Sequence, residues 1–172
     1  MPSLFNAPHD NDARLAQEAG LWNVFLPGLK PDAPGTGLSH LDYAPLAETM
    51  GRLPWAAEVF NCNAPDSGNM ELLHRFASPA QRVRWLEPLL HGQIRSAFAM
   101  SEPDVASSDP TNLQTTLRSN GDDWVLNGRK WFITGAAHPH CQLLIVVCKN
   151  EGPSGLAAAD VQWPPEQAAP PP

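Results

Sequence analysis

From residue 10 to about residue 93 the apolar positions recur with helical spacing. Asp10 or Asp12 can cap a short helix that ends at Gly20 and carries Ala13, Leu15, Ala16 and Ala19. Leu21 to Leu29 is apolar and aromatic, holds Trp22 and Phe25, and runs through Pro27, which predicts a buried loop. Pro31 to Gly37 reads as a connector. Ser39 then caps a helix bearing Leu41, Leu46, Ala47 and Met50, closed by Gly51. A third helix follows Ala64-Pro65-Asp66, with Met70, Leu73 and Phe76 on one face. Ser78-Pro79 starts a fourth, with Val83, Leu86, Leu89 and Leu90 as its buried stripe and Arg82 and Arg84 facing out.

Near residue 94 the period changes from 3.6 to 2. Ile94 to Ser101 reads as a strand, Glu102 to Thr111 as a polar loop, and Leu113 to Ser119 as a second strand. Asn120-Gly121 and Asn127-Gly128 are tight-turn signals, so Trp124–Leu126 and Arg129–Thr134 are expected to pair as a meander, with Gln142 to Cys148 as a further strand. The expectation is an α+β chain: an N-terminal helical domain over 1–93, then part of an antiparallel β-barrel domain over 94–149. Residues 150–172 hold six of the 19 prolines and show no alternation, so they are expected to form a disordered Pro/Ala-rich tail.

Composition narrows the function. Eleven Lys and Arg against 18 Asp and Glu give a net charge of -7, which argues against a nucleic-acid binder working through a basic face. The three cysteines, Cys62, Cys141 and Cys148, cannot pair completely and favour a reducing compartment. The longest apolar stretch, Leu143 to Cys148, is too short to be a transmembrane segment, and the N-terminus carries no signal-peptide or transit-peptide pattern.

Two segments carry candidate chemistry. Phe98-Ala99-Met100-Ser101-Glu102-Pro103-Asp104-Val105-Ala106-Ser107-Ser108-Asp109 ends a strand in small and polar residues. It offers backbone donors and the hydroxyls of Ser101, Ser107 and Ser108. Lys130-Trp131-Phe132-Ile133-Thr134 offers an aromatic face and a hydroxyl on a strand. Small residues let a backbone approach a large flat ligand closely. A plain strand, loop and hairpin with capping serines would use the same residue types.

The pair of segments resembles the flavin-binding signature of the acyl-CoA dehydrogenase family: aromatic-x-hydrophobic-Thr/Ser-Glu-Pro followed by Ser-Asp, then Lys-x-Trp/Phe-Ile-Thr. Asp104, in place of a more usual Gly, is similar to the subgroup of family members ten and eleven. Glu58 to Met70 and Trp85 to Gly92 extend the likeness, which covers roughly residues 20 to 149.

The resemblance implies FAD-dependent α,β-dehydrogenation of an acyl-CoA thioester, with electrons passed to an electron-transfer flavoprotein. It implies that residues 98 to 108 and Phe132, Ile133 and Thr134 bind the cofactor. Phe98, Met100 and Ser101 would line the isoalloxazine ring, Phe132 would pack beside it, and Thr134 would hydrogen-bond near its N5 atom. Ser107 or Ser108 would contact the acyl-CoA or the FAD. The family's catalytic glutamate lies in a C-terminal helical bundle that this chain is expected to lack, and the family counterpart of Glu102 is structural. The expected chain is therefore a truncated one without its own base. Alternatives are a non-catalytic or interaction-only isoform, and an acyl-CoA oxidase-like protein. The resemblance also implies a mitochondrial or peroxisomal location and a possible homo-oligomer.

Three other features have plainer readings. His138-Pro-His140-Cys141 could be pictured as a metal cluster but reads as a loop after the hairpin. Cys62 reads as packed rather than catalytic. Arg82, Arg84 and Arg95 could meet CoA phosphates, with a solvated helix face the plainer reading for the first two.

Overall fold

The computed structural model describes residues 10–26, 36–150 and 155–162. Most of the expected 31–37 connector, the end of the apolar loop, and residues 151–154 and 163–172 of the expected tail lie outside them. The chain divides into two compact units, Met1–Ile94 and Arg95–Pro172.

The first unit is helical: α1 (Asp10–Glu18), α2 (His40–Met50), α3 (Ala56–Val59), α4 (Asp66–Phe76), α5 (Pro79–Gln81) and α6 (Glu87–Leu90), with a π-helical turn, Arg82–Leu86, between the last two. Ser39 caps α2 by accepting from the Asp42 amide. Ser78 and Gln81 form a reciprocal capping box on α5.

The core of this unit gathers Leu26, Met70, Leu73, Trp85, Leu86, Leu89 and Leu90. Two expected core positions are exposed instead, Phe76 at 78% and Val83 at 62%. The π turn explains Val83. Glu87 donates to the Arg82 carbonyl, five residues back, and the extra residue rotates the stripe by about 100°. Trp85 thereby enters the core in place of Val83. Pro88, which has no N–H for the carbonyl four residues before it, favours the wider register here. Phe76 is the last residue of α4, where the backbone turns extended at Ala77. On α2, Leu41 is 83% exposed and only Met50 is buried.

Arg82 is not on a solvated face. It donates from Nη2 to the His74 carbonyl and from Nε to that of Ala77, capping the end of α4. Arg84 is exposed and stacks over the Trp85 ring.

A buried polar cluster, invisible to periodicity, ties this unit together. Asn23 and Asn61 both take left-handed backbone, at φ 55° and 54°. Asn61 Nδ2 donates to Asn23 Oδ1 and to the Leu89 carbonyl. Asn23 Nδ2 and Trp22 Nε1 both donate to the Leu90 carbonyl. The C-terminal carbonyls of α6 are thus satisfied from the 21–26 loop and the 60–62 turn.

The second unit is a mixed five-stranded sheet: β1 (Arg95–Ala99), β2 (Thr116–Asn120), β3 (Asp123–Asn127), β4 (Cys141–Asn150) and β5 (Leu156–Gln162). The strand order is β1-β4-β2-β3, with β5 also on β4. Ala97, Leu117, Leu143, Ile145 and Cys148 are buried in it. The chain is α+β, as the change of period predicts.

The first hairpin forms: β2 and β3 are antiparallel, from Thr116↔Asn127 to Asn120↔Asp123, and Gly121 takes φ 68° in the turn. The second does not. Residues 129–134 make no strand, and β4 returns parallel to β1 and to β2, so the sheet is mixed where an antiparallel meander was expected. The expected disordered tail also needs correction. Its residues 156–162 are β5, which runs antiparallel to β4 from Leu143↔Gln162 to Lys149↔Leu156. Alanine-rich sequence has weak strand preference, and here the free edge of β4 supplies the partner that local sequence does not announce.

Candidate functional site

The two candidate segments come together because neither continues as a regular strand. The Trp131 amide donates to the Ser101 carbonyl at 3.1 Å, and Lys130 Nζ donates to the Met100 carbonyl at 2.9 Å. Lys130 Nζ also lies 2.8 Å from Glu102 Oε1, with the two side chains only 11% and 4% exposed. Glu102 further accepts from the Gln114 amide at 2.7 Å and the Thr115 amide at 2.9 Å. Farther out, the largely exposed pair Arg129–Asp104 closes at 3.0 Å. Gly128 makes the approach possible, since a Cβ there would stand 2.3 Å from Thr115 Oγ1. A polar cavity of about 350 Å³ lies beside this junction, lined by Glu102, Asp104, Gln114, Thr116 and Arg129 among others.

On the outward side, Phe98 projects between the buried Ala97 and Ala99, and Met100 and Ser101 are half-buried. Phe132 takes φ 50°, left-handed backbone that a bulky residue rarely adopts, and its ring is 84% exposed. That ring lies 4.5 Å from the Trp131 ring. The Thr134 side chain is exposed and Ile133 is half-buried. Phe132 and Thr134 therefore sit on an irregular segment held by Lys130 and Trp131, not on the strand expected for them.

The 102–108 loop is folded by its own hydrogen bonds. The Glu102 amide donates to Ser107 Oγ at 2.7 Å, and that hydroxyl lies 3.2 Å from the Val105 carbonyl. Ser107 is spent on loop closure, whereas Ser108 is exposed. Pro103 and Val105 are half-buried, and Asp104 and Ala106 are exposed. Ala99 and Glu102 are buried.

Glu102 is held ionised. Burial by itself raises its pKa, but the Lys130 ammonium and the amides of Gln114 and Thr115 outweigh it and bring it down to about 2. Its folded pKa thus lies below an unfolded value of about 4.3, so the pair adds stability above pH about 5 that is lost as pH falls toward 2. Urea unfolding of the wild type and of Glu102→Gln between pH about 6 and about 3 should show the steeper acid loss in the wild type; parallel pH slopes would refute it.

Other candidates resolve simply. Arg95 is buried. His138 and His140 pair with each other, the His140 amide meeting His138 Nδ1 at 3.1 Å, and Cys141 is buried at the start of β4. Among the described residues, no group of three or more His, Cys, Asp or Glu is placed to hold a metal ion, and no helix is long and apolar enough to cross a membrane. Burial pushes the Cys62 thiol up, so it is a packed group rather than a nucleophile.

Lys130, Trp131, Gly128 and Thr115 are the residues that motif reading undervalues. Nothing in their spacing shows that a lysine 28 residues on would close over Glu102.

A helical unit is thus followed by a mixed sheet whose small-residue loop is bonded to the Lys130–Thr134 segment. The acyl-CoA dehydrogenase N-terminal domain matches residues 6–93, and the middle domain of the same family matches residues 97–163. The chain belongs to the acyl-CoA dehydrogenase family.

It is 53% identical over 133 residues to the probable acyl-CoA dehydrogenase FadE2 of Mycobacterium tuberculosis, covering 77% of this chain and 31% of that protein. It is 48% identical over 145 residues to human acyl-CoA dehydrogenase family member 11, covering 84% of this chain and 18% of that one. The chain thus spans less than a third of these curated relatives. Among solved structures, a Mycobacterium abscessus protein assigned to the acyl-CoA dehydrogenases superposes with a TM-score of 0.86 at 50% identity, over 93% of this chain and 40% of that one. A Bacillus anthracis acyl-CoA dehydrogenase complexed with FAD matches at a TM-score of 0.64 and 29% identity, over 90% of this chain and 26% of that one.

Proposed function

We propose that residues 98–108 and 130–134 form the cofactor-holding part of an FAD-dependent acyl-CoA dehydrogenase site, which oxidises the α,β bond of a fatty acyl-CoA thioester. The observation that carries this reading is the joining of the two segments beneath an exposed, strained Phe132. A bulky ring held in left-handed backbone and turned outward is costly unless it serves a ligand. The donor set suits a flat, partly polar ring system: Phe98 and Phe132 as apolar walls, Met100 and Ser101 at the strand exit, and the Thr134 hydroxyl as a hydrogen-bonding group. Bound there, FAD supplies the two-electron acceptor that dehydrogenation needs.

The chain's own residues bind and orient. Phe132 and Phe98 exclude water from the apolar faces of the ring. Thr134 would hydrogen-bond near the N5 edge. Ser108, exposed beside the engaged Ser107, is the hydroxyl left to meet a phosphate or the acyl-CoA. Glu102 does not remove the α proton, because its charge is satisfied inside the protein and its pKa is too low for a base at neutral pH. Proton abstraction is assigned to no residue of these two segments. The physiological acceptor on this reading is an electron-transfer flavoprotein, in a mitochondrial or peroxisomal setting and in a homo-oligomer, as the family implies.

A visible spectrum of the purified chain with added FAD tests the cofactor step. A bound-flavin spectrum with a resolved shoulder is expected. Thr134→Val and Phe132→Ala should each weaken binding about five- to tenfold, matching the loss of a hydrogen bond or an aromatic contact. A spectrum identical to free FAD would overturn the reading. Octanoyl-CoA added to the complex tests turnover: bleaching would show a base within the chain, and no bleaching would place this polypeptide with the non-catalytic forms. Peroxide formed with the bleaching would mark an oxidase instead.

A further inference from the structure

The geometry points to the buried Glu102–Lys130 pair as a positioning latch that presets the ligand-facing segments before any ligand arrives, an inference resting on the cofactor reading above. Two ion pairs join the same two segments, and they differ in kind. Arg129–Asp104 is largely exposed and bonds side chain to side chain only. Lys130–Glu102 is buried and branches into backbone on three sides.

Lys130 Nζ reaches the Met100 carbonyl at the exit of β1, and Glu102 gathers the amides of Gln114 and Thr115 just before β2. The neighbouring backbone bond, Trp131 amide to Ser101 carbonyl, is the last constraint before Phe132 turns left-handed. Of the residues expected to touch the ring, Phe98, Met100, Ser101 and Phe132 are therefore within two residues of a group the latch holds.

Stability alone does not call for this arrangement. A buried ion pair must overcome the desolvation of both charges, and well-packed apolar side chains of similar size often serve as well or better. What the pair adds is orientation. Lys130 has two acceptors and Glu102 has two amides plus the ammonium, and one arrangement of the three segments satisfies them all. Left-handed backbone at a bulky residue persists only where its surroundings over-determine it, and the latch supplies that constraint.

The experiment compares the wild-type chain with Lys130→Met/Glu102→Gln, which removes both charges without stranding one, and with Arg129→Gln as a control. Amide hydrogen exchange at Trp131, the near-ultraviolet circular dichroism of the Trp131–Phe132 pair, and the dissociation constant for added FAD are measured beside the melting temperature. In the double variant, Trp131 exchange should rise and FAD affinity should fall, each at least tenfold, while the melting temperature stays within a few degrees; Arg129→Gln should change none of them. A folded double variant with wild-type exchange and affinity would overturn the latch.

Should the double variant unfold, Lys130→Arg decides. A guanidinium keeps the charge but is longer and wider than the ammonium and holds its donors in one plane, so it does not reproduce the placement of Nζ between the two acceptors. Faster Trp131 exchange in a folded Lys130→Arg chain supports the latch, and unchanged exchange overturns it. If the wild type itself binds no FAD, the cofactor reading falls, and the exchange and dichroism results still judge the latch by themselves.

Discussion

Asn61→Ala should destabilise the helical unit by about 3 kcal/mol. The side chain is buried and donates from one nitrogen to Asn23 Oδ1 at 2.8 Å and to the Leu89 carbonyl at 3.0 Å. Alanine removes both donations in a place water does not reach; the Leu89 carbonyl keeps the Gly92 amide at 2.9 Å, so the loss is about 1–3 kcal/mol in all. Alanine must also hold the φ of 54° that asparagine tolerates, at about 1 kcal/mol more. Asn61→Gly separates the contributions: it keeps the backbone geometry at little cost and loses only the hydrogen bonds, so it should be about 1 kcal/mol less damaging. Urea midpoints for the two variants, read on tryptophan emission, check both statements. A loss below about 1 kcal/mol for Asn61→Ala would mean that the cluster is not a keystone of this unit.

Gly128→Ala should cost the sheet unit about 3 kcal/mol, although it adds one methyl group. The new Cβ would stand 2.3 Å from Thr115 Oγ1, 2.6 Å from its Cβ and 2.7 Å from its Cα. The last of these is backbone, so no rotamer change clears the clash. Overpacking of a fixed site costs about 1–3 kcal/mol, occasionally more. The displaced residue is Thr115, whose amide holds the Glu102 carboxylate, so the damage should spread to the latch. The expected result is a lower urea midpoint together with faster exchange at the Gln114 and Thr115 amides. Gly128→Ala made together with Thr115→Ser does not relieve the contacts to Cα and Cβ and should recover little. A Gly128→Ala chain as stable as the wild type would show that the 127–130 turn shifts freely and does not define the site.

Local patterns suffice where a residue's partner is near it in sequence. Ser39, Ser78-Pro79 and Asn120-Gly121 act within four residues, through a side chain on a nearby amide or a turn that needs a glycine, and each does what its neighbours predict. Asn127-Gly128 carries the same turn signal and makes no hairpin. Its glycine is required by the approach of Thr115, and the following residues are drawn away to Met100, Ser101 and Glu102. The π turn before Pro88 similarly replaces Val83 with Trp85 in the core.

The sequence by itself determined the α+β class, the change of period near residue 94, most helix starts, and the two segments that place the chain in its family. These rest on short-range physics: caps, turn geometry and the burial of one face of a regular element. Only the tertiary structure decided that β4 runs parallel to β1, that residues 156–162 pair as β5, that Ser107 closes its own loop while Ser108 faces solvent, and that Lys130 closes over Glu102. Each of these depends on a partner brought close by the fold rather than by the chain. The free edge of β4 outweighs alanine's weak strand preference, and a carboxylate enclosed by two amides attracts the Lys130 ammonium.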